Sequence, residues 1–223
     1  MGSSFFNRAE EAQMLLRNEV KTASDVELLT AILGNKVAAE ALLRKAGGSL
    51  FALLHGLPNE NGDLFCAEGS SGYSRDPVTK LHAACELAAR AITEELKGRD
   101  CLTSPGAVRD LLKLKLAGLP HEVFVCIQLD AQHRVIAIEE MFRGTLTQTS
   151  VYPREVVKAA LKANAAAVIF AHNHPSGVAQ PSQADELLTR NLKEALSLVD
   201  VKVLDHFIVA GTTAISFAER GLL

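Results

Sequence analysis

Three side chains of the kind that bind divalent metals stand close together in the stretch AAAVIFAHNHPSGVAQPSQAD, residues 165–185: His172, His174 and Asp185. Two neutral imidazoles and one carboxylate form a donor set that zinc accepts. A catalytic zinc takes three protein ligands and leaves a fourth place to water. Such an ion lowers the pKa of water to about 7 and polarises a carbonyl oxygen. The chemistry then needs one more group, a general base beside the water, supplied from elsewhere in the chain. Each residue alone has an ordinary reading. The His-Asn-His triplet suits a solvated turn, Asp185 suits a helix start favoured by the macrodipole, and Ser182 suits an N-cap. Taken as a set, they favour a metal site.

The elements around the triplet must deliver these groups to one place. Ala165–Ala171 is an unbroken apolar run of strand length, bounded by turn residues, and reads as a buried strand. Side chains at i and i+2 of a strand share a side, so His172 and His174 can meet a single ion. A Pro/Gly/Ser loop follows, shaped by Pro175 and Gly177, then Ser182 as N-cap and Asp185 in the first turn of a helix from about Gln183 to Leu198. Upstream, Ser104 and Pro105 open a helix to about Leu116. EVFVCIQLD and RVIAIEEMF, joined by Ala131-Gln-His133, predict a β-hairpin. Gly144–Tyr152 reads as a polar loop, and Pro153 starts a helix ending near Asn164. Val199–Ala210 reads as a strand broken by Asp205-His206, and Thr213–Phe217 as a short last one. This order predicts an α/β layered domain with a mixed sheet. Three carboxylates at one end of the hairpin are candidates for the base: Glu122, Glu139 and Glu140. His206 reads equally as a partner behind the metal ligands and as a core histidine. His55, His82, His121 and His133 lack partners at useful spacing and read as surface residues, and Arg154 as a helix-start arginine.

The N-terminal part reads as all-helical. A short segment spans Arg8–Asn18, VELLTAIL ends at Gly34-Asn35, VAAEALLRKA stops at Gly47-Gly48, and Leu50–Leu54 is a single turn. Leu57–Asp76 reads as loop. Pro77 opens a long helix through Lys97 with Leu81, Cys85 and Leu87 among its apolar positions. The boundary falls at 98–105, giving domains 1–100 and 101–223. Residues 1–100 carry 11 Lys and Arg against 14 Asp and Glu, which is not the electrostatic footprint of a nucleic-acid binder. The whole chain of 223 residues has a net charge of −3, so nothing pushes it toward nucleic acid or a membrane surface. No stretch is long and apolar enough to span a bilayer and no signal peptide is evident, so a cytoplasmic location is expected. The four cysteines are widely spaced with no C-x-x-C. Cys85 and Cys126 read as small core residues, Cys66 and Cys101 as exposed thiols.

His172-Asn-His174, seven residues, Ser182, two residues and Asp185 match the H-x-H-x7-S-x2-D signature of the JAMM (MPN-type) metalloproteases. FRGTLTQTSVYPREVVKAAL from Phe142, AHNHPSG from Ala171 and VLDHFIVAG from Val203 resemble one bacterial branch, the RadC family. The resemblance implies a JAMM/MPN-like C-terminal domain, its mixed sheet flanked by helices, preceded by a small helix-hairpin-helix-like domain. It implies one Zn2+ per chain on His172, His174 and Asp185, and a peptide or protein substrate cleaved at an amide or isopeptide bond. Glu122, fifty positions before His172, matches the family's base glutamate. Ser182 matches the residue that donates a hydrogen bond to the oxyanion. In the N-terminal domain the family's G-x-G hairpin falls on Gly72-Tyr73-Ser74 and a nearby lysine on Pro77. The missing second glycine argues against close backbone approach to a DNA phosphate, and a structural or protein-contact role is expected there. A zinc nucleobase deaminase would need H-x-E with P-C-x-x-C, and an H-E-x-x-H peptidase its own motif; neither is present. The second functional class is a DNA-repair-associated binding or scaffold protein whose metal is structural or vestigial.

Overall fold

The computed structural model describes residues 20–55, 77–101, 105–144 and 151–223. The Arg8–Asn18 segment, the Leu57–Asp76 loop with Cys66 and Gly72-Tyr73-Ser74, Ser104, and most of the Gly144–Tyr152 loop lie outside them. Two compact units are present, residues 1–84 and 85–223.

The first unit is helical. Its helices are α1 (Asp25–Leu33), α2 (Lys36–Lys45), α3 (Leu50–His55) and the first turns of α4 (Pro77–Gly98). Ser24 caps α1 in a capping box with Glu27, and Gly34 ends it in the left-handed region at φ 73°. Asn35 caps α2 through the backbone N–H of Ala38. Leu29, Leu33, Ala39, Leu53 and Leu81 form its buried core. Further along α4, Leu87 is 66% exposed: the apolar run there is wider than the face that packs.

The second unit is built on a five-stranded mixed sheet, order β2-β1-β3-β4-β5. The strands are β1 (Val123–Leu129), β2 (Val135–Arg143), β3 (Ala167–Asn173), β4 (Lys202–Ala210) and β5 (Thr213–Ser216). β1 runs antiparallel to both β2 and β3, β3 parallel to β4, and β4 antiparallel to β5. Helices α5 (Pro105–Leu116), α6 (Pro153–Lys162) and α7 (Gln183–Ser197) complete the unit. A parallel pair needs a crossover of a dozen or more residues, and α7 is that crossover. β1 and β3 are buried at every residue, which is why both read as continuous apolar runs. Phe124, Cys126, Val168 and Phe170 pack against Val156 and Ala160 of α6 and Leu192 and Leu196 of α7. Each fully buried large apolar side chain of this kind contributes about 1.5–3 kcal/mol.

Three expectations are corrected. The central strand starts at Ala167, two residues later than the apolar run, and continues through His172 and Asn173. β4 is not broken by Asp205-His206. Val203 pairs with Val168 and Asp205 with Ile169, so Leu204 is the extra residue of a bulge, and pairing resumes with His206 opposite Phe170. Cys101 is 2% exposed rather than an open thiol. Its N–H is bonded to the His133 carbonyl at 3.0 Å, and burial, with Asp100 and Asp130 nearby, pushes the thiol up to about 11. Among the described residues, no helix is long and apolar enough to cross a membrane.

Candidate metal centre

The end of β3 and the start of α7 meet around one point. His172 sits on the strand and is 1% exposed, His174 lies just past its end, and Asp185 enters from the first turn of α7. The intervening loop turns at Gly177, whose φ of +77° suits glycine best. Ser182 caps α7 in the same kind of box as Ser24. Its N–H and hydroxyl both donate to Oδ2 of Asp185 at 2.7 Å, and its oxygen accepts from the N–H of Asp185 at 3.2 Å. The N-cap duty read from the sequence is therefore present, and it orients the carboxylate.

The donor atoms converge. Nε2 of His172 and Nε2 of His174 are 2.9 Å apart. Asp185 reaches His172 Nε2 at 3.3 Å through Oδ1 and His174 Nε2 at 3.5 Å through Oδ2. Ligands about 2.0–2.1 Å from a tetrahedral zinc are separated by roughly 3.3 Å, so the three separations bracket what one ion requires. The protonation of His174 also fits. Its Nδ1 lies 2.8 Å from the carbonyl of Val178, an acceptor only, so Nδ1 carries the hydrogen and Nε2 of the neutral ring offers a lone pair. His172, His174 and Asp185 thus fit a divalent cation such as zinc.

Without a cation, protons fill the role. Hydrogen bonding to Asp185 raises the His174 imidazole above its ordinary value, against the opposing effect of burial. At Asp185 burial opposes ionisation, but the contacts with His172 and His174 and the hydrogen bonds from Ser182 outweigh it and hold the carboxyl well below the usual carboxylate range. The helix N-terminus adds to this preference for the anion.

Glu122 stands immediately before β1, with Oε1 4.0 Å from Nε2 of His172 and its side chain 29% exposed. Its backbone is pinned from both sides. Asn173, buried between the two histidines in sequence, accepts from the N–H of Val123 at 2.8 Å and donates to the carbonyl of His121 at 3.0 Å. The Glu122 carbonyl accepts from Gly144 at 2.8 Å. Glu139 and Glu140 lie inside β2 rather than at its end, opposite Cys126 and Val125. Glu140 is bound by Arg143 at 2.7 Å, which holds its carboxyl below the ordinary range. Arg154 is largely exposed and contacts Glu155 at 3.4 Å.

His206 is wholly buried, with Nε2 2.9 Å from Nδ1 of His172. Burial, then the neighbouring His172, pushes its imidazole well below the ordinary value. His55, His82, His121 and His133 are half-buried rather than surface residues. Two residues that hold the site, Asn173 and Thr189, escaped the sequence reading. The signal for Asn173 was its amide at the end of an apolar strand, pointing to the face opposite the imidazoles. For Thr189 it was only a hydroxyl one turn after Asp185.

The model of the RadC-like JAB domain matches residues 102–222. The chain is 52% identical to a UPF0758 protein of Nitrosomonas eutropha, over 95% of this chain and 94% of that one. It is 54% identical to a UPF0758 protein of Dechloromonas aromatica, again over 95% and 94%. A third relative, the UPF0758 protein Nmul_A2138 of Nitrosospira multiformis, is 54% identical over the same shares. With that domain over more than half its length and such relatives along nearly all of it, the chain belongs to the RadC family.

Proposed function

We propose that this protein is a zinc-dependent amide-bond hydrolase of the metallopeptidase or isopeptidase type. The observation that carries the reading is the convergence of His172, His174 and Asp185 with a half-buried carboxylate, Glu122, 4.0 Å from His172. A zinc ion held by the three ligands would supply Lewis acidity, lowering the pKa of water to about 7. Glu122 takes the proton from the attacking water and returns it to the leaving amine. Its partial exposure leaves it open to substrate, and the Asn173 bonds keep its backbone in place. Ser182 turns its hydroxyl from Asp185 to the oxyanion of the tetrahedral intermediate. The substrate is a peptide or protein carrying an amide or isopeptide bond, and the protein acts in the cytoplasm.

The test is cleavage profiling against a peptide and lysate library with zinc-loaded protein. Glu122→Gln should keep about one zinc per chain and lose turnover at least about 100-fold. Undiminished turnover in that variant would remove Glu122 from the role. DNA binding in a gel-shift assay, with no hydrolysis of any amide, would favour the scaffold class instead.

A further inference from the structure

Behind His172 a line of hydrogen bonds ends in the backbone of α7. The hydroxyl of buried Thr189 lies 2.6 Å from the carbonyl oxygen of Asp185 and 2.6 Å from Nδ1 of His206. His206 in turn places Nε2 2.9 Å from Nδ1 of His172. A mid-helix threonine bonding back to the carbonyl four residues earlier is common, and Thr30 and Thr93 do the same in this chain. What sets Thr189 apart is the second contact, with a buried imidazole.

The direction of every bond follows from counting hydrogens. The Asp185 carbonyl can only accept, so it takes the single proton of the Thr189 hydroxyl. That oxygen must then accept from His206, whose Nδ1 carries the hydrogen. The His206 ring is packed against Phe124, Phe170 and Phe217, with ring centroids 4.9–5.9 Å away. Its nitrogens face Thr189 and His172 and no carboxylate, so it is neutral. A neutral imidazole has one N–H. Nε2 of His206 therefore accepts, and Nδ1 of His172 donates. In the neutral His172 ring, Nε2 is then left with its lone pair, and that atom is the one facing His174 and Asp185. This is the tautomer that a free imidazole populates less.

We infer that Thr189 and His206 are positioning residues that lock His172 in its metal-binding tautomer. The inference rests on the zinc-site reading above for its purpose, but not for its hydrogen-bond logic. Metal-bound histidines commonly donate their second N–H to a carboxylate or carbonyl. Here the acceptor is a second imidazole, and a helix carbonyl sets its orientation two bonds away. The backbone of Asp185 thus prepares one ligand while its side chain is another.

Two readouts on the full-length chain test this, and neither needs turnover. Long-range 1H–15N spectra of the metal-free protein report which nitrogen of each imidazole is protonated. The Nδ1–H form is expected at His172 and His206 in the wild type and in Thr189→Ser, and its loss at His172 in Thr189→Val. Competition with a chelator then measures zinc(II) affinity. A loss of about 10–100-fold is expected in Thr189→Val and His206→Phe. Thr189→Ser should stay near wild type, and His206→Gln, whose amide can accept from His172 and donate to Thr189, should recover most of the affinity. An Nε2–H form of His172 in the wild type, or unchanged zinc affinity in folded Thr189→Val, would overturn the lock. A wild-type chain with the expected tautomers but no zinc affinity would instead overturn the zinc reading and leave the lock standing.

Discussion

Among the described residues the same hydrogen-bonded device occurs twice. At α1, Ser24 donates its N–H and hydroxyl to Glu27 at 2.7 Å and accepts from the Glu27 N–H at 3.3 Å. At α7, Ser182 and Asp185 repeat the pattern at nearly the same lengths. The first pair is exposed and starts a helix. In the second the carboxylate is buried and lies within 3.5 Å of two imidazoles. Local chemistry is shared between the two; the difference is the strand end that the sheet brings up against one of them. A capping box becomes part of a candidate metal site by location alone.

Replacing each carboxylate by its amide should separate the two duties most sharply. Asp185→Asn keeps an oxygen for the Ser182 N–H but removes the anion, and zinc affinity should fall by about 100-fold or more. Glu27→Gln should leave zinc affinity unchanged and alter stability by less than about 0.5 kcal/mol. Metal analysis after gel filtration checks both, and full zinc in Asp185→Asn would erase the contrast.

The second effect concerns what the sheet contributes. Asn173→Ala strips partners from the Val123 N–H and the His121 carbonyl, at about 1–3 kcal/mol for each group left unsatisfied. Urea unfolding should show that loss while zinc stoichiometry stays near one. Normal stability would mean that Asn173 does not pin the segment bearing Glu122.

A third difference is in pH. The raised pKa of His174 means that a proton occupies its Nε2 to a higher pH than in a free imidazole. Zinc must displace that proton, so affinity falls as pH falls through the raised value, by about tenfold per unit for one proton. Chelator competition from pH 8 to pH 6 reads the slope directly, and a flat profile would rule out proton competition at His174.

The smallest effect is expected where the two boxes are alike. Ser24→Ala and Ser182→Ala should each cost about 1 kcal/mol as lost N-caps. Thermal melts of metal-free protein would compare them, and a much larger loss at Ser182 would show that the second box does more than cap its helix.

Much of this was legible in the chain itself. The H-x-H triplet, Ser182 and Asp185 are close in sequence, and their spacing with a strand and a helix start implies one site. The mixed sheet followed from apolar runs alternating with helical patterns. What stayed hidden depends on long-range register. Asp205-His206 looked like an interruption because a bulge at Leu204 cannot be read from one strand alone. Cys101 looked exposed because its cover includes the His133 carbonyl, a contact between distant turns. Asn173 and Thr189 look generic until the segments they touch are in place.

His172, His174 and Asp185 come from a single strand–loop–helix segment, whereas Glu122 arrives from a strand that is fifty residues earlier and antiparallel to it. The three candidate ligands therefore come from neighbours in the chain, and the carboxylate proposed as base from afar. On the proposed function, a nascent chain in which only β3 and α7 have come together would hold the cation but lack the carboxylate that activates water. Loading would precede competence, and a half-built molecule would be charged but harmless until the hairpin docks.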